Sequence, residues 1–357
     1  MAYTTINKST AHFNTKLYTG NGSNGYSISG VGHQPDLVWI KSRSAGSTEH
    51  HLMDVLQGWG TGSSDTPNIS SNNTSAAYSR NIFSSNNVNA DGFELNDYSD
   101  TNTNSQTHVA WNWKANGTGS ANTDGDINST VSVNTTAGFS IVKYTGNASS
   151  NQSIGHGLGV RPKMIIIKNL DTVGAWMVWH DSLTSGSGTQ KFLQLDNTNA
   201  QNNGSAGDFP DEPTTSVFKV GSYDTMNKSG DDIIAYCFAD IDGFSKMGSY
   251  SGNGNADGPF IYTGFKPAFL MIKGYAGADS WIMYDNKRSG YNSENEYLDA
   301  NNTDAEEDGT GKIDFLSNGF KIKSTFSSLN YSTGEYIYMA FAESPFVNSN
   351  GIPTNAK

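Results

Sequence analysis

The 357-residue sequence contains a single cysteine, Cys237. No intrachain disulfide can form, so stability must come from packing and backbone pairing. Charge is also scarce: 16% of residues are charged, with 22 Lys+Arg against 34 Asp+Glu. The net charge is -12, and no Lys/Arg cluster exceeds two residues. A basic face that could displace counterions is missing, which argues against a nucleic-acid partner. Long apolar runs are missing as well. Those present, such as Met164-Ile165-Ile166-Ile167, suit single strands, so no transmembrane helix or membrane insertion is expected. Residues 1–8 lack the basic start and apolar core of a secretory leader, and the expectation is a chain without one.

What is present is glycine, at 39 positions, asparagine at similar abundance, and 11% aromatics. Disorder needs low hydrophobicity together with high charge and few aromatics, a combination not met here. Apolar residues alternate, or run briefly between Gly, Asn, Asp and Pro. Examples are Asp36–Lys41, Phe218-Lys219-Val220 and Tyr336–Phe341. Such segments read as strands, punctuated by Asn-Gly, Asp-Gly and Ser-Gly turns. No 12-residue helical stripe is found; Thr303–Glu307 could form one helical turn. The fold class is all-β.

A threefold internal repeat organises the chain. Each copy opens on an aromatic strand leading to Gly-Asn: Phe13–Gly22, Phe139–Asn147 and Phe244–Gly254. A proline then precedes an apolar strand ending in lysine: Pro35–Lys41, Pro162–Lys168 and Pro267–Lys273. Proline cannot donate to the ladder and belongs at a strand start. A second strand, Trp176–Asp181 and Trp281–Asp285, has only the weaker counterpart His51–Asp54 in copy one. The copies close on Val109–Trp113, Ile234–Phe238 and Ile337–Phe341, whose alternation predicts one buried face. The expected organisation is an N-terminal arm (1–12), module one (13–115), a Gly/Asn/Ser linker (116–138), module two (139–243), module three (244–346) and a tail (347–357). Modules of about 105 residues with six or seven strands suit tandem β-sandwiches, jelly-roll or lectin-like. Modules two and three meet without a linker and are expected to pack rigidly together.

The openings Phe13–Gly22, Pro35–Lys41 and Trp111–Lys114, with Ser153–Gly159 and Asp257–Phe265, resemble a module found in virion proteins of tailed bacteriophages, marine ones among them. The resemblance covers residues 1 to about 346. It implies a tail-fibre-like or surface-appendage structural protein on the particle exterior, made in the host cytoplasm. The expected partners are other copies of the chain, as a trimer, and other virion proteins. A carbohydrate-binding receptor-recognition protein and a capsid-decorating protein are the alternatives. The resemblance brings no catalytic or ligand residues with it.

No catalytic set stands out, and neither enzyme activity, a metal nor a cofactor is expected. His50-His51 has no further metal ligand at suitable spacing. No Gly-x-Ser-x-Gly elbow occurs. Glycoside hydrolysis would need paired carboxylates, and alternation would place Glu294 and Glu296 on one strand face; Glu306, Glu307 and Asp308 read as a solvated charge run. Asp124–Asn128 has the start of a calcium loop without its later ligands. Asp54, Asp181 and Asp285 recur at one place and read as turn caps. Lys41, Lys168 and Lys273 are expected at strand ends with their ammonium groups in water. Function should lie where the copies differ. Copy one has the insert Gly58–Ser85 with Trp59 and Tyr78, and copy three carries Tyr291 and Tyr297. Exposed aromatics among amides suit a host-surface glycan or a subunit interface.

Overall fold

A computed structural model describes residues 4–60, 66–183, 190–205 and 207–345, with 347 and 352. It is built of antiparallel sheets, and its α-helices among those residues are single turns at Ser99–Asn102, Asp224–Asn227 and Ser327–Asn330. The helical turn expected at 303–307 is absent: Glu307 opens a strand instead. No helix among the described residues is long and apolar enough to cross a membrane.

The repeat is visible in the strand order. An opening strand (Phe13–Thr19, Phe139–Thr145, Ser245–Ser251) pairs a closing strand (Thr107–Trp113, Asp232–Phe238, Glu335–Pro345). The closing strand pairs a proline strand (Leu37–Ser42, Met164–Asn169, Phe265–Gly274), which pairs a second strand (His51–Asp54, Met177–His180, Trp281–Asp285). Residues 13–115, 139–243 and 244–346 are called units one, two and three below. The stretch 116–138 is not a bare linker. Ser120–Asn122 pairs Ser129–Asn134, which pairs the opening strand of unit two and widens that sheet to seven strands. Alternating Val131 and Val133 give it an apolar side, and Val131 joins the unit-two core.

These sheets are buried on both faces, not one. In unit one, Val38, Ile40 and Ala110 pack with Ile28, Phe93 and Leu95 of a smaller sheet. Their alternates Leu37, Trp39, Val109, Trp111 and Trp113 enter a cluster shared by all three units. Unit two divides the same way: Ile165 and Ala235 face a local core, Ile166 and Tyr236 the shared one. At its centre Phe13 stacks on Phe341 at 5.0 Å, and Phe341 meets Phe238 at 5.9 Å. Fully burying each such ring contributes about 1.5–3 kcal/mol of transfer free energy. Packing is therefore not confined to units two and three. The N-terminal arm is also committed from Thr4 onward, because Ile6 is buried in the shared cluster. Met1–Tyr3 and most of the tail lie outside the described residues.

The repeated Tyr/Gly/Asn segment pins each helical turn. Tyr18, Tyr144 and Tyr250 donate from their hydroxyls to the carbonyls of Thr101, Met226 and Leu329. Asn102, Asn227 and Asn330, all fully buried, accept from the N–H of Asn21, Asn147 and Asn253. The glycine between is required by space. A Cβ at Gly20, Gly146 or Gly252 would fall 2.2–2.3 Å from the carbonyl oxygen of Thr103, Lys228 or Tyr331.

Candidate functional site

The residues that look chemical in the sequence sort into two places: the junctions between units, and a cleft in unit three. The junctions take most of them. Lys41, Lys168 and Lys273 are fully buried, contrary to the expectation of solvated ends. Each crosses to a different unit. Lys41 Nζ donates to the carbonyl of Thr303 in unit three (3.3 Å), Lys168 to Thr74 in unit one (3.1 Å) and Lys273 to Thr198 in unit two (2.9 Å). The contacts run one to three, three to two and two to one, so the three units close into a ring. Burial pushes these ammonium groups down to about 8, and carbonyl oxygens replace the lost water.

Opposite each lysine, at or just before the start of the second strand, stands a second crossing group. Trp176 Nε1 donates to Ser70 O (2.9 Å) and Trp281 Nε1 to Gln194 O (2.9 Å). In unit one His50 takes this place. Its Nδ1 accepts from Trp39 Nε1 (2.8 Å), leaving Nε2 to donate to Asp299 O (3.1 Å). Burial holds His50 well below its ordinary value, consistent with this neutral form. The weak-looking His51–Asp54 strand is thus the full counterpart of the other two. His51 also binds within the fold, to Asn68 Oδ1 and Asp100 Oδ2. The acceptors are themselves a repeat: Ser70 to Thr74, Gln194 to Thr198 and Asp299 to Thr303, each ending in Asn-Thr. Sequence reading missed it because the first copy lies in the apparent insert 58–85. That signal, Asn73-Thr74, Asn197-Thr198 and Asn302-Thr303, was available.

Asp54 and Asp285 do cap turns, each accepting the N–H groups two and three residues on. They also cross the ring. Tyr236 in unit two donates to Asp54 (2.8 Å), and Trp111 in unit one donates to Asp285 (3.1 Å). Asp181 is not their equivalent. In the sheet register His180 faces Met164, as Asp54 faces Leu37 and Asp285 faces Phe269. His180 Nδ1 accepts from Ser182 N (3.0 Å) and Nε2 donates to Tyr338 O in unit three (3.3 Å). The equivalent of Tyr236 and Trp111 on the unit-three closing strand is Met339, which has no N–H or O–H to donate, and here the second-strand residue is itself the donor, to a backbone carbonyl. Asp181, one position on, pairs Arg161 and Lys163 near the surface.

The carboxylates considered for hydrolysis are dispersed. A register shift between Glu294 and Glu296 breaks the alternation that would have paired them. Glu296 and Glu306 bind Arg43 across a junction at 3.3 and 2.7 Å. Glu307 accepts from Tyr297 (2.7 Å), and Asp308 accepts from Asn295. The Asp124–Asn128 segment is tied down by Asp126, which accepts from the backbone and hydroxyl of Ser153. Among the described residues no group of three His, Cys, Asp or Glu could hold a metal ion.

Of the four aromatics expected as contact residues, one is free. Tyr297 is 3% exposed and packs on Tyr284 and Phe326. Trp59 is half-buried edge-to-face on Phe83. Tyr78 bonds Ser70 Oγ (2.6 Å) under the Arg80 guanidinium. Tyr291 is 81% exposed. Phe260, Tyr262 and Tyr331, not singled out from sequence, are also exposed in unit three.

Tyr291 lines a cleft of about 350 Å³ with Lys266, Asn286, Lys287, Asn292, Glu294 and others. Asn292 fixes the Tyr291 loop by exchanging two hydrogen bonds with the backbone of Phe315. Lys266 pairs Glu343 at 2.6 Å. Glu294 is 3% exposed, and its Oε2 has no hydrogen-bond partner among the described residues; Asn286 Oδ1 is likewise buried and unpartnered. Burial, with help from the nearby Asp285 charge, raises Glu294 to about 7 against the pull of the Ser289 hydroxyl, Arg288 and Lys266. A second cleft of about 340 Å³, beside Ala276–Asp279 and Tyr331–Tyr336, has its Tyr336 hydroxyl already bonded to Ser327 O and Tyr331 N.

A family model for a domain of unknown function, DUF7483, matches residues 8–345. The chain belongs to this family. The match runs through all three units as one stretch. No curated protein and no solved structure matches the chain.

Proposed function

We propose that this chain is a non-enzymatic structural protein of a phage virion, a tail-fibre-like or surface-appendage component. We read its three units as β-sandwiches. The observation that carries the reading is where the chemical residues go. Buried lysines, histidines and carboxylates, the residue types that serve catalysis elsewhere, are spent joining one unit to the next. A ring closed by buried bonds suits a rigid building block more than an enzyme, whose reacting groups must reach a substrate. The sequence resemblance to phage structural modules supplies the setting. Self-association belongs to the same reading. The inner sheet faces are already used inside one chain, so copies would meet through their outer surfaces. Immunogold labelling and mass spectrometry of purified virions test the assignment. Labelling of the particle exterior is expected; a protein found in infected cells and missing from particles overturns it. Light scattering tests self-association, and a strict monomer at micromolar concentration overturns that part.

A further inference from the structure

A buried polar atom without a partner costs about 1–3 kcal/mol, so each one in a native fold calls for an explanation. The unit-three cleft has three, of which Glu343 Oε2 lies 2.6 Å from the Lys266 ammonium, leaving Glu294 Oε2 and Asn286 Oδ1 with neither a hydrogen bond nor an ion partner. The amide oxygen is an acceptor, and so is the carboxylate when ionised. Whatever completes the site must therefore bring donors. A metal ion is a poor fit, because Lys266 and Lys287 share the cleft and no three-ligand group exists among the described residues. An anion is a poor fit too, because it would face the carboxylates of Glu294 and Glu343 and bring no donor to either orphan oxygen. A neutral ligand with several hydroxyls meets both demands. Its O–H groups can donate to the carboxyl and the amide, while accepting from lysine. The exposed Tyr291 ring, on a loop fastened by Asn292, supplies an apolar face of the kind that stacks on the C–H face of a sugar ring.

We propose that the cleft between Tyr291 and Glu294 is a saccharide-binding site, with Glu294 and Asn286 accepting ligand hydroxyls and Tyr291 as the stacking platform. The site is carried by unit three alone. After its second strand unit one carries the half-buried Trp59 in place of an exposed ring, and the matching stretch of unit two, 184–189, lies outside the described residues. It stands independently of the virion assignment, since a sugar site would serve equally on a protein with another location.

The test is saturation-transfer NMR on the full chain, with methyl glycosides of glucose, galactose, mannose and N-acetylglucosamine and with bacterial envelope polysaccharide as probes. At least one probe should receive saturation. Tyr291→Ala should weaken that binding by on the order of tenfold or more, with an unchanged melting temperature because the side chain is exposed. Tyr291→Phe should keep binding, since the ring remains. Glu294→Leu should lose binding, whereas Glu294→Gln, which retains an acceptor oxygen, should keep part of it. Absence of saturation with every probe overturns the proposal. So does binding that survives Tyr291→Ala unchanged, or displacement of the bound sugar by calcium or inorganic phosphate alone.

Discussion

The ring junctions and the unit-three cleft contain the same kinds of residue: buried carboxylate, lysine, amide and aromatic ring. At the junctions these groups meet complementary partners. Asp285 is held by two backbone N–H groups, Arg288 Nε (2.8 Å) and Trp111 Nε1 (3.1 Å). In the cleft Glu294 is as deeply buried, yet one oxygen has no partner among the described residues. Burial alone does not separate structural from functional polar groups. Between Asp285 and Glu294 completion of the hydrogen bonds does, although Asp299 Oδ1 beside a junction and Trp113 Nε1 in the shared core are also buried without a partner among the described residues.

The comparison breaks most directly at Asp285. Asp285→Ala strands the Trp111 N–H and the Nε of the fully buried Arg288 guanidinium, which keeps only Glu306 and the Met283 carbonyl. Removing one partner of a buried pair costs about 3–5 kcal/mol, and denaturant unfolding should show a loss of that size. A smaller loss, about 1–3 kcal/mol, is expected for Lys168→Met, which keeps the bulk and leaves the Gly174 carbonyl without its lysine donor. A loss near zero would mean the lysine bonds do not hold the ring. Glu294→Gln should go the other way. Its folded pKa, about 7, lies above the ordinary 4.5, so between these values the folded protein holds a proton that the unfolded chain has released. Stability from this group is complete below about 4.5 and is lost as pH rises through about 7. The melting temperature of Glu294→Gln relative to wild type should climb across that window and then level off. A flat difference would place Glu294 with the satisfied junction groups. Tyr291→Ala should be smallest, within about 0.5 kcal/mol, because the ring touches mainly solvent.

The sequence disclosed the architecture better than the roles. Strand type, the three copies and their opening and closing strands were legible because alternation and turn residues are local signals. The lysines misled because their partners lie 75–262 positions away, and nothing near Lys41 announces Thr303. Asp181 misled by a single residue, since pairing register is set by neighbouring strands and not by spacing from a shared tryptophan. Tyr291 and Tyr297 looked alike in sequence, and only the packing of Tyr284 and Phe326 around Tyr297 tells them apart. Glu294 was noted for its spacing to Glu296, although what distinguishes it is the company it lacks.

Covalent continuity has a consequence for what the ring can become. Three identical subunits about an axis must accept or reject each substitution three times over. Here the copies are written separately, and each junction has settled on its own chemistry: tyrosine with aspartate, tryptophan with aspartate, and histidine with a backbone carbonyl. The same freedom allows one face of the ring to diverge while two hold the scaffold, so each molecule presents the Tyr291 cleft once rather than three times.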